Sequence, residues 1–361
     1  MNAQQRGRPA AESPAPTWWL CTSLSVLLFS GLPVNAAGAP EVEAPQVLEE
    51  VLVTAQRREE SLMQVPLAVS TVSGTRMDHA GAVDLSWLSQ VTPNVSIEPA
   101  RGTNNALSAY IRGVGQQDHI AGFESGVGLY VDDVYFNRPQ LALLEVYDVQ
   151  RVEILRGPQG TLYGRNSVGG AIKYVTRRPG EQAELRLRAR VGSHGMQDTI
   201  VSGDLPLGDS LRMGGSVASL NLDGFGDNLF VSSQRNYHKE MLAARLTAEW
   251  TPADTWAIRV NGDWLQDDSD LRRGHRLLPG AYSGAPVLAK VFDSRAGNTW
   301  PVADAEAWGL SVLAEWAVDD AWTLRGFLAH REDETWKPVD LDGLPTVDVD
   351  VSTWDGNRQD T

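Results

Sequence analysis

The sequence predicts a compact α/β domain over residues 61–180, followed by antiparallel β-structure to the end of the chain. Three observations carry this. Val152–Pro179 reads VEILRGPQGTLYGRNSVGGAIKYVTRRP, two strand-like runs (Val152–Leu155 and Ala171–Thr176) joined by a glycine-punctuated turn. From about Ala183 the texture changes to segments alternating apolar and polar residues, separated by turns. No run reaches the ~18–20 apolar residues of a membrane-spanning helix, a test that leaves β-strands open because their alternation dilutes the signal.

Length and charge set outer bounds. With 361 residues there is room for two or more domains. A net charge of −15 and a pI near 4.8 argue against a nucleic-acid binder that relies on a basic surface. Cys21 is the only cysteine, and it lies within a candidate signal peptide. Arg6 and Arg8 precede the short apolar stretch Trp18–Phe29, and Val34-Asn35-Ala36 supplies a small-residue cleavage site. Pro33 and the Ala/Gly/Pro run after it disfavour a buried N-terminal helix. Cleavage there sets residues 1–36 apart and leaves a mature chain without cysteine. The Pro/Ala-rich lead before Trp18 also allows a start codon further in.

Residues 37–60 read as a flexible tether. Ala, Pro and Glu dominate 37–49, and the β-prone run Glu50, Val51, Leu52, Val53, Thr54, Ala55 follows. Such a segment can add itself to an exposed sheet edge, and without a partner it is an unpaired strand.

In the α/β domain, Val65–Val72 reads as a strand, and Gly74–Ala80 and Asp84–Val91 as short helices, with Asp84 as N-cap and Pro93 past the end. Leu107, Ala109 and Ile111 alternate as a half-buried strand, and Val127–Val131 leads into Asp132-Asp133. Leu141–Tyr147 suits a helix and Arg151–Leu155 a strand. The glycines Gly157, Gly160, Gly164, Gly169 and Gly170 allow positive φ or close backbone approach. Arg156 and Arg165 call for carboxylate partners elsewhere in the fold. A phosphate cradle is not indicated, since neither G-x-x-x-x-G-K-[ST] nor a helix-opening G-x-G-x-x-G occurs. Asp132 and Asp133 admit two readings, a general acid/base or cation-binding pair, or strand-end carboxylates pairing with Arg112, Arg156 or Arg165. Available arginines and the lack of a nucleophile–histidine set favour the second, and Glu145 and Glu153 fit the same scheme. The six histidines are scattered, so neither a metal centre nor a cofactor is expected.

The stretch 152–179 resembles the plug domain of TonB-dependent outer-membrane receptors at nearly every position. Ile111-Arg112-Gly113 and Tyr130-Val131-Asp132-Asp133-Val134 resemble two further elements of that family. The resemblance implies an α+β plug domain followed by transmembrane β-barrel strands, and it makes Glu50–Ala55 a TonB box, the peptide captured by the energy-coupling protein TonB. It also implies that polar plug loops help line the ligand site, here Arg101–Asn105 (with Arg101 and Asn104) and Gln116–Glu124 (with Gln116, His119 and Phe123). Transport of a scarce solute follows, most often a ferric siderophore, with cobalamin and carbohydrates as other options. The setting is the outer membrane of a Gram-negative cell, with lipid around the barrel and no nucleic-acid partner. No domain of ~70–80 residues separates signal peptide from box, which points to a transporter without the family's signalling extension.

From 181 to 361 the alternation is read as transmembrane barrel rather than soluble sandwich. Leu185, Leu187, Ala189 and Val191 share a face, as do Trp256, Ile258, Val260 and Trp264, and Trp308 through Trp316, with aromatics near segment ends. Asp223–His238 and Leu271–Ala303 are the expected outer loops. The family's barrel has 22 strands, and this length holds roughly seven or eight, so the expectation is an incomplete 22-stranded barrel, hence a fragment. A plug that binds solute or TonB without transporting is the alternative function. A periplasmic hydrolase on a β-sandwich finds no triad or metal-ligand constellation.

Overall fold

The computed structural model describes residues 50–360, apart from 101–105, 118–122, 138–146, 233, 271, 282, 298–303, 341–342 and 346–349. The side chains of 337–340 and 350–357 also lie outside the description. The expected signal peptide and the expected helix 141–147, except its last residue, fall on residues outside it.

The plug is built on a five-stranded mixed sheet. In chain order its strands are β3 (Ala68–Ser73), β7 (Val127–Val131), β8 (Val134–Phe136), β9 (Val149–Arg156) and β10 (Gly170–Thr176), arranged β3-β9-β10-β7-β8. Only β7 and β10 pair in parallel. A three-stranded sheet joins β4 (Val95–Pro99), β5 (Leu107–Ile111) and β6 (Val114–Gly115). The helices are short: α1 (Gly74–His79), α2 (Leu88–Val91) and the single turn α3 (Gly160–Tyr163). Ser73 caps α1, accepting from Arg76 N at 3.2 Å. Asp84 accepts from Ser86 N at 2.8 Å and opens the 3-10 turn Leu85–Trp87 that leads into α2. The strand expected from Val65 begins at Ala68, because Pro66 brings no N–H to the ladder.

Both faces of the five-stranded sheet are covered, which is why β7 and β10 read as near-continuous apolar runs. On one face Leu129, Ile154, Ile172 and Tyr174 meet Met77, Leu85, Leu88, Ile97 and Ile111. On the other Tyr130, Leu155 and Ala171 meet Val53, Ala55, Val65 and Tyr163. The second cover is the short hairpin β1 (Leu52–Val53) with β2 (Glu60–Ser61) and the chain around it.

Eight long strands form the outer wall: β11 (Glu184–Val191), β12 (Gln197–Leu207), β13 (Leu211–Leu222), β16 (Lys239–Ala253), β17 (Trp256–Asp267), β18 (Asp304–Ala317), β19 (Thr323–Asp340) and β20 (Asp350–Asp360). Each pairs antiparallel with the next in that order. A small hairpin, β14 (Gly226–Asp227) and β15 (Arg235–Asn236), lies within the loop after β13. Among the described residues no ladder joins β11 to β20, so the wall is an open run of eight strands.

The wall's pattern is inverted relative to a soluble sheet. Leu185, Leu187 and Val191 are exposed while Arg186, Arg188 and Arg190 on the opposite face are half-buried. Trp256 stands opposite Trp316 and stacks on it at 5.2 Å, and Trp264 stands opposite Trp308. Eight residue steps separate the two tryptophan levels, about 26 Å along a strand, close to the roughly 25 Å apolar band of outer-membrane barrels. The long connections 223–238 and 268–303 sit at the opposite end from the tight turns 208–210, 254–255 and 318–322. Long loops mark the outer end and short turns the periplasmic end.

Candidate functional site

Glu50–Ala55, expected as part of a flexible tether, is docked on the plug. Its strand is very short and pairs with β2, but most of what holds it comes from side chains of the five-stranded sheet. Glu153, fully buried in the middle of β9, accepts from Thr54 N at 2.8 Å and from Thr54 Oγ1 at 3.1 Å. Lys173 in β10 donates to the Thr54 carbonyl at 3.1 Å, and the Tyr163 hydroxyl donates to the Ala55 carbonyl at 2.8 Å. Val53 and Ala55 are themselves fully buried. The backbone polar groups of Thr54 and Ala55 thus find partners without a long ladder, which a two-residue strand could not supply.

Buried charge organises this floor. Lys173, 2% exposed, pairs with Asp133 at 2.6 Å, and Arg151 pairs with Glu153 at 2.7 Å. Asp133 also receives Arg325 from wall strand β19 at 2.8 Å. Arg325 donates to the Arg57 carbonyl as well, and the Arg57 guanidinium lies 5.1 Å from the Tyr163 ring and 5.6 Å from Phe327 of the wall. One wall arginine therefore touches both the plug carboxylate beneath Glu50–Ala55 and the chain just after that segment. Burial pushes the Asp133 carboxyl up, but Lys173, Arg325 and Arg57 outweigh it and hold it below its ordinary value. Burial, reinforced by neighbouring Tyr135, pushes the Tyr130 phenol up to about 12. Tyr163 is likewise pushed up by burial and by the nearby carboxylates of Asp133 and Glu153. Both phenols stay protonated and so remain donors, Tyr130 to the Tyr163 carbonyl at 2.6 Å and Tyr163 to the Ala55 carbonyl.

The motif residues expected to matter fall into three groups. Arg112-Gly113 and Asp132-Asp133 are the two-residue turns of tight hairpins, with positive φ at all four positions and flanking pairs Ile111–Val114 and Val131–Val134. The expected partners of the aspartates are corrected. Asp133 binds Lys173 and Arg325, and Asp132 accepts from Thr176 N at 2.9 Å and Thr176 Oγ1 at 2.5 Å. Arg165 pairs instead with Glu124 at 2.8 Å, both exposed, and the buried Nε of Arg156 has no hydrogen-bond partner. Asp133 lies against Arg325 near the short-turn end of β19, whereas Arg112 lies in another sheet and Arg165 follows α3.

Among the glycines, Gly157, Gly164 and Gly170 take positive φ. At Gly170 (φ 150°) a Cβ would also overlap the Leu155 carbonyl oxygen, so only glycine keeps the β9–β10 ladder closed. Gly169 donates its N–H to the Gly126 carbonyl, and Gly160 begins α3 with open space around it. Of the expected ligand-contact residues, Arg101, Asn104 and His119 lie outside the described residues, as does Glu145. Gln116 is half-buried beside β6, and Phe123 is 48% exposed.

Lys173, Tyr163 and Arg325 were not singled out from sequence, and Tyr130 only as the first residue of the Tyr130–Val134 element. Lys173 had a signal, a cation inside the apolar run Ala171–Thr176, which demands a buried carboxylate. Arg325 had none, because its role depends on how the wall packs against the plug.

Comparison with known proteins agrees with this architecture. Residues 61–171 match the model of the TonB-dependent Receptor Plug Domain. The pesticin receptor of Yersinia pestis is 30% identical over 211 residues, 57% of this chain and 30% of the receptor. The vitamin B12 transporter BtuB of Vibrio vulnificus is 22% identical over 238 residues, 65% of this chain and 38% of BtuB. The chain thus spans about a third of the length of these curated relatives. Among solved structures, the ferric yersiniabactin uptake receptor FyuA from Yersinia pestis superposes with a TM-score of 0.66 at 22% identity, covering 81% of this chain and 44% of FyuA. The ferripyoverdine receptor of Pseudomonas aeruginosa gives 0.67 at 17% identity, covering 84% of this chain and 40% of the receptor. Residues 61–171 thus match the plug domain of TonB-dependent receptors, and the fold, an α+β plug followed by antiparallel strands, is shared with the solved receptors. The relatives are receptors and transporters, which removes the hydrolase reading.

Proposed function

We propose that this chain serves TonB-dependent uptake of a scarce solute across the outer membrane, with a ferric siderophore as cargo and Glu50–Ala55 as the segment TonB captures. The observation that carries the proposal is the docked box. The backbone groups through which an extended peptide would add to a partner's sheet are held here by Glu153, Lys173 and Tyr163. Capture by TonB requires those contacts to open. Solute binding on the outer side can favour opening only by binding the open state more tightly. Arg325 gives a physical route, since it joins wall strand β19 to Asp133 and to the Arg57 carbonyl. The iron-chelate assignment is supported by the likeness to FyuA, a ferric yersiniabactin uptake receptor, and to the ferripyoverdine receptor, while the similar BtuB is a vitamin B12 transporter. The same proposal assigns export to residues 1–36, the tether and box to 37–60, the plug to 61–180 and the barrel to 181–361, with Gln116 and Phe123 at the solute-facing mouth.

The test is uptake of a radiolabelled ferric chelate by cells whose receptor carries Val53→Pro, beside capture of the purified chain by the periplasmic domain of TonB. Proline removes the Val53 N–H and bars ladder pairing there, so loss of both uptake and capture is expected. Unchanged uptake and capture would remove Glu50–Ala55 from the mechanism. Capture without uptake by the unaltered chain would leave the reading of a plug that binds but does not transport.

A further inference from the structure

Between α1 of the plug and wall strands β11 and β12 lies a cavity of about 250 Å³. Its wall side is a ladder of arginines. Arg190, Arg188 and Arg186 take every second position of β11, roughly 7 Å apart, and face the plug. Each holds a different partner. Arg190 binds Asp198 of the wall at 3.1 Å and donates to the Ala82 carbonyl of the plug at 3.3 Å. Arg188 pairs with Asp78 of α1. Arg186 binds Asp204 at 2.6 Å, and Arg177 on the same cavity binds Asp148 at 3.3 Å. The carboxylates differ in burial, and that decides which can leave. Asp148, Asp198 and Asp204 keep 6–7% of their side-chain surface, whereas Asp78 keeps 38%. A pair as exposed as Asp78–Arg188 is weak. Directly opposite Arg188 on β12 stands the buried Ile200, so a guanidinium left there without an anion would face apolar surface. The buried Nε atoms of Arg186 and Arg190 have no hydrogen-bond partner among the described residues.

We propose that this cavity is a carboxylate-exchange site, where a carboxylate of the cargo replaces Asp78 on Arg188 and frees α1 from the wall. The inference rests on the uptake reading above and narrows its cargo to a chelate with more than one free carboxylate, whose neighbouring groups reach the open Nε donors of Arg186 and Arg190. Exchange keeps each guanidinium paired, so neither end state holds an isolated ion. A neutral cargo would separate Asp78 from Arg188 with nothing in its place. A cationic one would meet guanidinium groups at successive inward positions of β11. Several weak sites in a row also let a ligand move on, since none holds it tightly. The far side of the plug is held by other means. Gln359 of β20 donates to the Tyr135 carbonyl at 2.7 Å and accepts from Asn137 N at 3.3 Å. A neutral amide bonded to backbone offers a carboxylate nothing to exchange, so β8 stays on the wall while α1 parts from it.

The experiment is amide hydrogen exchange of α1 in the full chain in detergent, with citrate as the probe and chloride at the same ionic strength as the comparison. Citrate should speed exchange of the α1 amides at least threefold and saturably. Salting-out by citrate would slow exchange instead, so the sign separates the two effects. Arg188→Gln should abolish the citrate response, and Arg165→Gln should leave it intact. Unchanged tryptic protection at Arg57–Arg58 shows that both variants keep plug and box folded. Equal exchange in citrate and chloride, or a citrate response that survives Arg188→Gln, overturns the proposal. In cells, Asp78→Cys with Arg188→Cys, joined by a cleavable thiosulfonate bridge, should block uptake of the ferric chelate until dithiothreitol is added. The same bridge between Asn137→Cys and Gln359→Cys should spare it. Box-dependent uptake that continues across the 78–188 bridge sinks only the exchange site. A citrate response without box-dependent uptake sinks only transport.

Discussion

Arginines of the wall and arginines of the plug carry the same charge but sit in different company. On the inner face of the wall, Arg188 pairs with Asp78 of the plug and Arg190 donates to the Ala82 carbonyl. Arg245 lies 5.1 Å from the Tyr147 ring, Arg331 lies 4.2 Å from the Phe136 ring while gripping Asp263, and Arg325 binds Asp133. Each spans the seam between two parts of the fold. In the plug, Arg112 sits in a hairpin turn, Arg156 ends a strand, and Arg165 makes one exposed pair with Glu124. The lesson is positional. Alternation along a wall strand sends every second side chain inward, where an arginine meets either the plug, as Arg188, Arg190 and Arg325 do, or a neighbouring wall carboxylate, as Arg186 meets Asp204. Motif arginines in the plug owe their positions to backbone geometry, and their charges do less holding.

The sharpest way to break this comparison is at the seam's buried end. Lys173→Met should cost the plug roughly 3–5 kcal/mol, because it strips Asp133 of its buried partner and the Thr54 carbonyl of its donor. A lowered melting temperature of the full chain in detergent, with faster tryptic cleavage at Arg57–Arg58, is the expected readout. An unchanged melt would mean that Arg325 alone satisfies Asp133.

Arg325→Gln comes next. It removes a charged hydrogen bond to Asp133 and the contact to the Arg57 carbonyl, about 1.5–3 kcal/mol. Because Lys173 remains, the plug should stay folded while cleavage after the box accelerates. If box cleavage does not change, the wall has no hold on the box.

Alkaline pH probes the same floor through its phenols. The folded Tyr130 pKa, raised to about 12, lies above the ordinary value of 10. Its stabilising contribution is therefore complete below pH 10 and lost as pH rises toward 12, at about 1.4 kcal/mol per pH unit for one group. Tyr163, shifted the same way, holds the Ala55 carbonyl directly. Box cleavage by an alkali-tolerant protease should rise over this window, together with phenolate absorbance. Asp133 has the opposite sign. Its pKa is depressed, so its contribution persists above the ordinary carboxylate range and fades only as pH falls through its lowered value. Mild acid near pH 5 should leave the box docked.

The smallest effect belongs to the plug's motif arginine. Arg165→Gln breaks a pair whose side chains are 65% and 51% exposed, worth about 0–1 kcal/mol. A melt shifted as far as that of Lys173→Met would overturn the distinction between seam and motif.

Much of the architecture was legible in residue order. The helix at Gly74, the cap at Asp84, the strands around Ile111, Val127 and Ile154, and the alternation of the wall segments around Leu187, Val260 and Val312 follow from local pattern, while the number of wall strands came only from length, as roughly seven or eight. The strands β6 and β8 were not read, since two or three residues give too few alternations to register, and the five-residue β4 was missed as well. The site was legible unevenly. Glu50–Ala55 stood out as a β-prone run, but its docking did not, because it depends on Glu153, Lys173 and Tyr163, roughly a hundred residues away.

The sequence by itself determined which segments extend, where the chain turns and which face of each wall strand is apolar, because backbone sterics and side-chain alternation are local. Only the tertiary structure decided which carboxylate meets which cation and that the box lies against the plug. Apart from Arg151–Glu153, those pairings join distant residues, Asp133 with Lys173 and, 192 positions away, with Arg325, and no local preference selects one buried partner over another. Desolvation does, by making an unpaired charge in the floor too costly to keep.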